Sequence, residues 1–460
     1  MRGQIIAWIA VMVLCLPSLG GGARETLRDI RQWRQDHNVY LDAQASQAPM
    51  MSAGEQERRD RDYNERHFSP WHQDRPRSGP GDIRVEFEKY GRNRGYGANG
   101  RPYGPGWIRR LERNARLRDY PAAGYPAITI RRADMRSLPT AKPHFDTSAG
   151  AMSGHPFDNL QATAVMPGTP IFIAHISRDR KWVWAETGYY FGWLRAADTA
   201  ALPDGFMKKW ETGRYAVIVR DKTPLYEGTG RLMFRAPLGA VFPLVREDDG
   251  GVEILAATAG AGGRAVLKHV ALPKDAATAK PLPMTAPHMA RLANELLHEP
   301  YGWGGLRGAR DCSAMIRDLF APFGLWLPRN SGDQALKGGA FIDLSGLSAA
   351  EKRAKILSRG IPYLTLLWRR GHIMLYLGSH DGEPLVFHNL WGVSVRNASG
   401  GIDKVIVGHA AITTLHPGRE RSPDPDADEA FIDLIIGMTL IGEGAGEAPP
   451  AGGSGPDRPS

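Results

Sequence analysis

The hydrophobic pattern changes period several times along the chain, and each change predicts a different element. Ile5 to Leu16 is an unbroken apolar run, with Arg2 and Gln4 before it, Pro17 after it, and small residues at Ser18, Gly20, Gly21, Gly22 and Ala23. A positive start, a short apolar run and small residues predict a secretory signal peptide over 1–22, too short to span a membrane comfortably. From Arg24 to Tyr40, Leu27, Ile30 and Trp33 recur at helical spacing. Between about Ala43 and Ala123 periodicity fades into Arg, Gly, Pro and Tyr, as in Arg75-Pro76-Arg77-Ser78-Gly79-Pro80-Gly81, which predicts loop or linker for part of it. The segment Tyr63 to Trp71 carries anchor-sized aromatics and is expected to dock on the folded body.

From Ala162 the period becomes two. Thr169 to His175 alternates, Lys181 to Glu186 carries Trp182 and Trp184, and Tyr189 to Leu194 contains Gly192-Trp193. Short β-branched and aromatic runs separated by Gly, Asp and Ser predict a small all-β barrel over 151–205. A second pass starts at Arg214, with a strand over Tyr215–Arg220, a turn over Asp221–Pro224 and further runs to Leu272, giving a second small β domain over 206–278. Both passes contain Thr-Pro before an apolar residue (Thr169-Pro170-Ile171 and Thr223-Pro224-Leu225), a weak internal repeat. Asp275 to Ala286, with Pro281 and Pro283, reads as a linker.

The period then returns to helical. Met289, Leu292, Leu296 and Leu297 make one face of a helix over His288–Leu297. A Gly-rich loop runs from Tyr301 to Arg310, and Cys312 to Phe320 is the next helix, with Ile316, Leu319 and Phe320 inward. Strands are predicted at Tyr363–Trp368, His372–Leu377, Pro384–Leu390 and Lys404–Val407. A helix followed by antiparallel strands makes 279–416 an α+β domain. The tail, 417–460, turns acidic and Pro-rich and is expected to be largely disordered, with Ala430 to Leu440 as its apolar part, able to pack on the body.

Composition narrows the class. The chain has 460 residues, 42% of them hydrophobic, which calls for several domains. The net charge of +9 suits anionic partners such as membrane surfaces or wall polymers. No basic motif interleaved with aromatics points to nucleic acid. There are two cysteines, Cys15 and Cys312. Cys15 follows Leu14, whereas a lipid-modified cysteine usually follows a small residue, which argues against a lipoprotein anchor. Removal of 1–22 leaves Cys312 alone, so no disulfide framework exists and the thiol is either reactive or an apolar filler.

The neighbours of Cys312 favour reactivity. It opens a helix, whose free N–H groups and dipole stabilise a thiolate, and Asp311 stands in the cap region behind Gly304, Gly305 and Gly308. The N–H groups at this turn are also placed to serve part of an oxyanion hole. A thiol nucleophile needs a base, and His372 at the start of a strand fits, with His388 on the next strand to orient it. The scattered histidines and single remaining Cys show no metal-ligand spacing, and no cofactor is expected.

Asp311-Cys312-Ser313-Ala314, preceded by Tyr301-Gly302-Trp303-Gly304-Gly305 and followed by His372 and then His388, resembles the NlpC/p60 family of cell-wall cysteine peptidases over about Pro281 to Leu415. The usual Asp-Cys-Ser-Gly is Asp-Cys-Ser-Ala here. Pro156-Phe157-Asp158-Asn159-Leu160-Gln161, Thr169–His175 and Gly192-Trp193 resemble the bacterial SH3-like domains of one branch, and His67-Phe68-Ser69-Pro70-Trp71 its N-terminal stabilising segment, assigned to 23–150. The resemblance implies a circularly permuted papain-like domain behind two SH3-like barrels. It also implies catalytic Cys312, His372 and His388, and a substrate site lined by Tyr301, Asp311, Ser313 and Ser331, with Asp311 pairing with a substrate amino group and Tyr189 or Tyr190 as donors from the first β domain. The implied activity is that of a γ-D-glutamyl-L-diamino acid endopeptidase on peptidoglycan peptides, in a monomer exported to the periplasm or cell envelope. The rival readings are an amidase or acyltransferase with the same triad, and a wall-binding adaptor with an inactive peptidase domain.

Overall fold

The structure, a computed structural model, describes residues 27–41, 48–152, 157–423 and 431–442. The expected signal segment, Cys15 and Pro156 lie outside these residues. Among them, no helix is long and apolar enough to cross a membrane.

The stretch expected to be loop or linker contains three helices, Ala53–Phe68, Pro80–Arg92 and Trp107–Ala115. Ser52 caps the first, its side chain accepting from the Glu55 N–H, with Glu55 in the first turn and Arg66 in the last, as the helix dipole favours. Its buried stripe includes Gln56, Asp60, Tyr63 and His67, helically spaced but mostly polar, so hydrophobic periodicity gives no sign of it. These groups are satisfied by distant partners. Gln56 Nε2 donates to the carbonyls of Leu282 (2.6 Å) and Phe323 (3.0 Å), Asp60 pairs with Lys280, and the Lys280 ammonium lies 3.9 Å from the Tyr63 ring centroid. The aromatic segment does dock: Trp71 is buried and its indole N–H donates to the Ala127 carbonyl (2.7 Å).

Seven strands form the first antiparallel sheet: β1 (Tyr125–Thr129), β2 (Ala133–Arg136), β3 (Gln161–Val165), β4 (Pro170–Ile176), β5 (Trp182–Glu186), β6 (Phe191–Arg195) and β7 (Thr199–Ala201), in the order β3-β2-β6-β5-β4-β1-β7. The expected boundary at 151 falls too late, because β1 sits between β4 and β7, and β2 between β3 and β6. Both are too short to display an alternation, and Pro126 in β1 argues against a strand on local grounds.

The second β unit contains β8 (Tyr215–Ile218), β9 (Thr223–Tyr226), β10 (Leu232–Ala236), β11 (Val241–Asp248), β12 (Gly251–Ala259), β13 (Ala265–Leu272) and β14 (Ala277–Lys280). Its main sheet runs β13-β12-β11-β8-β14, with β9 and β10 as a separate hairpin. The expected linker thus contributes an edge strand: β14 pairs with β8 from Ala277 opposite Ile218 to Lys280 opposite Tyr215.

The third sheet holds β15 (Ala340–Asp343), β16 (Thr365–Arg369), β17 (His372–His380), β18 (Glu383–Arg396), β19 (Ile402–Thr413) and β20 (Gly437–Leu440), in the order β15-β20-β16-β17-β18-β19. The tail boundary at 417 is therefore corrected: β20 is an interior strand, bonded to β15 on one side and β16 on the other. The Cys312–Phe320 helix lies against this sheet, and Met315, Ile316, Leu319 and Phe320 share a core with Leu375, Phe387 and Ile412. At the sheet's β19 edge, Gln35 imitates a strand. Its amide accepts from the Ile412 N–H (2.8 Å) and donates to the Ile412 carbonyl (2.9 Å), satisfying part of an otherwise open edge.

Candidate active site

Asp311 is the N-cap of the Cys312–Phe320 helix, so Cys312 is its first residue. The Asp311 Oδ1 accepts from the Ala314 N–H (2.8 Å). The thiol is 5% exposed and lies against the backbone N–H groups of Ile373 and Ser313. Burial pushes the thiol up to about 12, the Asp311 carboxylate adding to the effect, while the Ile373 N–H, the Arg329 charge and the Ser313 N–H pull the other way. Burial thus works against the thiolate that the helix N-terminus favours.

Strands β17 and β18 bring the two histidines together. His372 Nε2 lies 2.8 Å from His388 Nδ1, and His388 Nε2 lies 3.0 Å from Thr413 Oγ1 on β19. Burial, then His388 and Arg369, hold His372 well below its ordinary value, and burial and Arg369 bring His388 to about 3. Both rings are neutral near pH 7. Nδ1 is the His372 ring nitrogen left outside this contact.

The cleft beside Cys312 is lined by Tyr301, Asp311, Ser313 and Ser331, together with Trp303, Arg329 and Asn330. All four residues expected at the substrate site thus line it. Asp311, however, is heavily committed. Its Oδ2 accepts from Gly304 N–H (2.9 Å) and Arg329 Nη2 (2.6 Å), and its Oδ1 also accepts from Arg329 Nη1 (3.1 Å) and the Ser313 hydroxyl (3.2 Å). The Arg329 charge and these hydrogen bonds overcome burial and keep its carboxyl below the usual range. A substrate ammonium has to compete with an internal guanidinium for this carboxylate.

The first β unit supplies one wall, through Ala162 on β3. Tyr189 does not: it lies beneath the Arg317 guanidinium (4.7 Å to the ring centroid) and beside Trp326, and Tyr190 does not line the cleft either. The glycines explain how the wall approaches. Gly304 and Gly305 have φ of +58° and +78°, and a Cβ on Gly304 would stand 2.8 Å from the Gln161 carbonyl oxygen. Any side chain there would hold β3 away from the cleft.

Sequence reasoning missed three contributors. Arg329 ties the site to the first β unit, its Nε donating to Thr163 Oγ1 (2.6 Å). Its only sequence signal is its place beside Asn330-Ser331. Asn389, next to His388, donates to the carbonyl of Arg310 (3.0 Å), backing the loop that leads to Cys312. Phe431, from the expected tail, packs on both histidines, with ring centroids at 6.2 Å from His372 and 6.1 Å from His388, and on the Arg369 guanidinium at 4.6 Å. Among the described residues no cluster of three or more His, Cys, Asp or Glu is arranged to hold a metal ion.

Comparison with known proteins agrees with this architecture. Residues 298–407 match the NlpC/P60 family, 6–120 the N-terminal NLPC_P60 stabilising domain, 143–195 an SH3 domain of the SH3b1 type and 204–249 one of the SH3b2 type. A curated relative, a gamma-D-glutamyl-L-lysine dipeptidyl-peptidase of Bacillus subtilis (strain 168), is 27% identical over 156 residues, 32% of this chain and 50% of the relative. The chain thus spans about half the length of that relative. An NlpC/P60 endopeptidase from Photobacterium damselae subsp. piscicida has the same fold, with a TM-score of 0.80 at 23% identity, covering 90% of this chain and 98% of that one.

Proposed function

The chain carries an NlpC/P60 domain behind the family's N-terminal stabilising domain and two SH3 domains, and on that premise we propose that it is an exported γ-D-glutamyl-L-diamino acid endopeptidase that cuts peptidoglycan stem peptides or muropeptide fragments. The observation that carries this reading is the hydrogen-bonded pair His372–His388 beside a thiol at a helix N-terminus. The activity of the Bacillus subtilis relative supports the choice of bond. The apolar run Ile5 to Leu16 supports export to the cell envelope.

In this mechanism the Cys312 sulfur attacks the amide carbonyl as its proton passes to His372 Nδ1. The departing amine takes that proton, leaving a thioester. Water then attacks the thioester, giving its proton to His372, which returns it to the Cys312 sulfur as the acid product leaves. His388 orients His372. Tyr301, Ser313 and Ser331 line the peptide's side of the cleft, and Asp311 holds the loop in shape.

Cys312→Ala is expected to abolish release of diamino-acid products from purified muropeptides, read by mass spectrometry. Product release at the wild-type rate would refute the assignment. The same assay with tripeptides bearing a free or blocked amino end shows whether Asp311 still recognises an ammonium group despite its Arg329 partner.

A further inference from the structure

We infer that Thr413 is a positioning residue that fixes the tautomers of both active-site histidines, and so presents the lone pair of His372 to the thiol. The inference rests on the proposed Cys312, His372 and His388 set. Thr413 stands at the end of β19, beyond residue 407, where the family match ends.

Thr413 Oγ1 lies 2.8 Å from the Thr414 carbonyl oxygen and 3.0 Å from His388 Nε2. A carbonyl only accepts, so the hydroxyl's single proton goes to it, and the face turned to His388 is a lone pair. His388 Nε2 must therefore carry the ring proton. A neutral imidazole has one, so His388 Nδ1 is bare and accepts from His372 Nε2 at 2.8 Å. That places the His372 proton on Nε2 and leaves its Nδ1 bare, as a base for a thiol requires.

The surroundings keep both rings neutral. His388 and Thr413 are fully buried. The charge facing the pair is that of Arg369 on β16, which opposes protonation of both rings; Lys404 on β19 also feels Arg369. Phe431 covers the pair with an apolar ring. Thr414 is itself anchored, its N–H and hydroxyl donating to Asp29 Oδ2 at 2.9 and 3.1 Å. Without the Thr413 hydroxyl, His388 can place its proton on Nδ1. His372 then has to turn a bare Nε2 toward it and carry its own proton on Nδ1, where it cannot receive one from Cys312.

The test compares Thr413→Val with Thr413→Ser in the full chain, without wall peptide. The alkylation rate of Cys312 by iodoacetamide is followed against pH, and histidine 15N signals report the tautomers. Thr413→Val is expected to slow alkylation near pH 7 by about tenfold or more, with Nδ1–H tautomers appearing at His372 and His388. Thr413→Ser should restore the rate to within about threefold and the Nε2–H tautomers with it. Wild-type rates and tautomers in Thr413→Val, or a serine variant as slow as the valine one at unchanged Tm, would overturn the inference. If the Thr413 series behaves as stated but no stem peptide is cut, the proposed substrate fails and the tautomer role stands.

Discussion

The two small β units use the same kind of strand but meet the catalytic unit in opposite ways. The first approaches the cleft through neutral acceptors and backbone carbonyls. Arg132 Nη2 donates to the carbonyls of Gly305 (2.5 Å) and Ala309 (3.0 Å), Gln161 Nε2 to that of Gly304 (3.0 Å), and Thr163 receives Arg329. The second reaches the back of the Cys312–Phe320 helix through buried charge. Asp221 takes both Nη atoms of Arg310 (2.7 and 3.1 Å), and Arg310 Nε binds Asp318 (2.8 Å). Lys222 and Arg317 complete a cluster of three cations against Asp221, Asp318 and Glu299. Arg310 precedes Cys312 by two residues. One unit thus shapes a wall of the cleft, and the other braces the segment that carries Cys312.

The largest expected effect is in the brace. Asp221→Ala strips Arg310 of its bidentate partner in a buried setting and should cost about 3 kcal/mol in urea unfolding, while KM for wall peptides stays within about twofold. Unchanged stability with a large rise in KM would reverse the assignment of roles. A smaller effect is expected in acid. Although burial raises it, the charge and hydrogen bonds of Arg310 bring the Asp221 carboxyl down to about 2. A folded value below the unfolded one, about 3.9, adds stability above about pH 4 that is lost as pH falls toward 2, on the order of 2 kcal/mol. Asp221→Asn should lack this part of the acid transition in circular dichroism, and an identical acid limb would remove Asp221 from the account. The smallest effect is in the wall. Thr163→Val removes an acceptor from Arg329, about 1 kcal/mol, and should appear as roughly a fivefold fall in kcat/KM with little change in Tm. A loss of stability without a kinetic effect would erase the distinction between the two units.

The elements and side chains of the site differ in how visible they are along the chain. Cys312 and its helix were legible because apolar spacing, a cap residue and a glycine loop are all local signals. His372 and His388 were legible because each opens or sits in a short apolar run. β1, β2 and β14 were not, being four or five residues long and, in β1, interrupted by proline. The Ala53–Phe68 helix was hidden for another reason: the face it buries is largely polar and is satisfied by Leu282, Phe323 and Lys280, more than two hundred residues away. β20 is read from sequence as an apolar fragment of a polar tail, and only its two neighbours in the sheet make it an interior strand.

The sequence by itself determined the chemistry at hand: one thiol at a helix start, two histidines on later strands, and two β units ahead of them. The tertiary structure decided how that chemistry is held. It placed Thr413 behind His388, Phe431 over the histidine pair and Arg329 against Asp311, and it buried the thiol. A chain shows which groups it owns and their local period. Desolvation and hydrogen-bond partners depend on what packs around a group, and those neighbours come from every part of the chain.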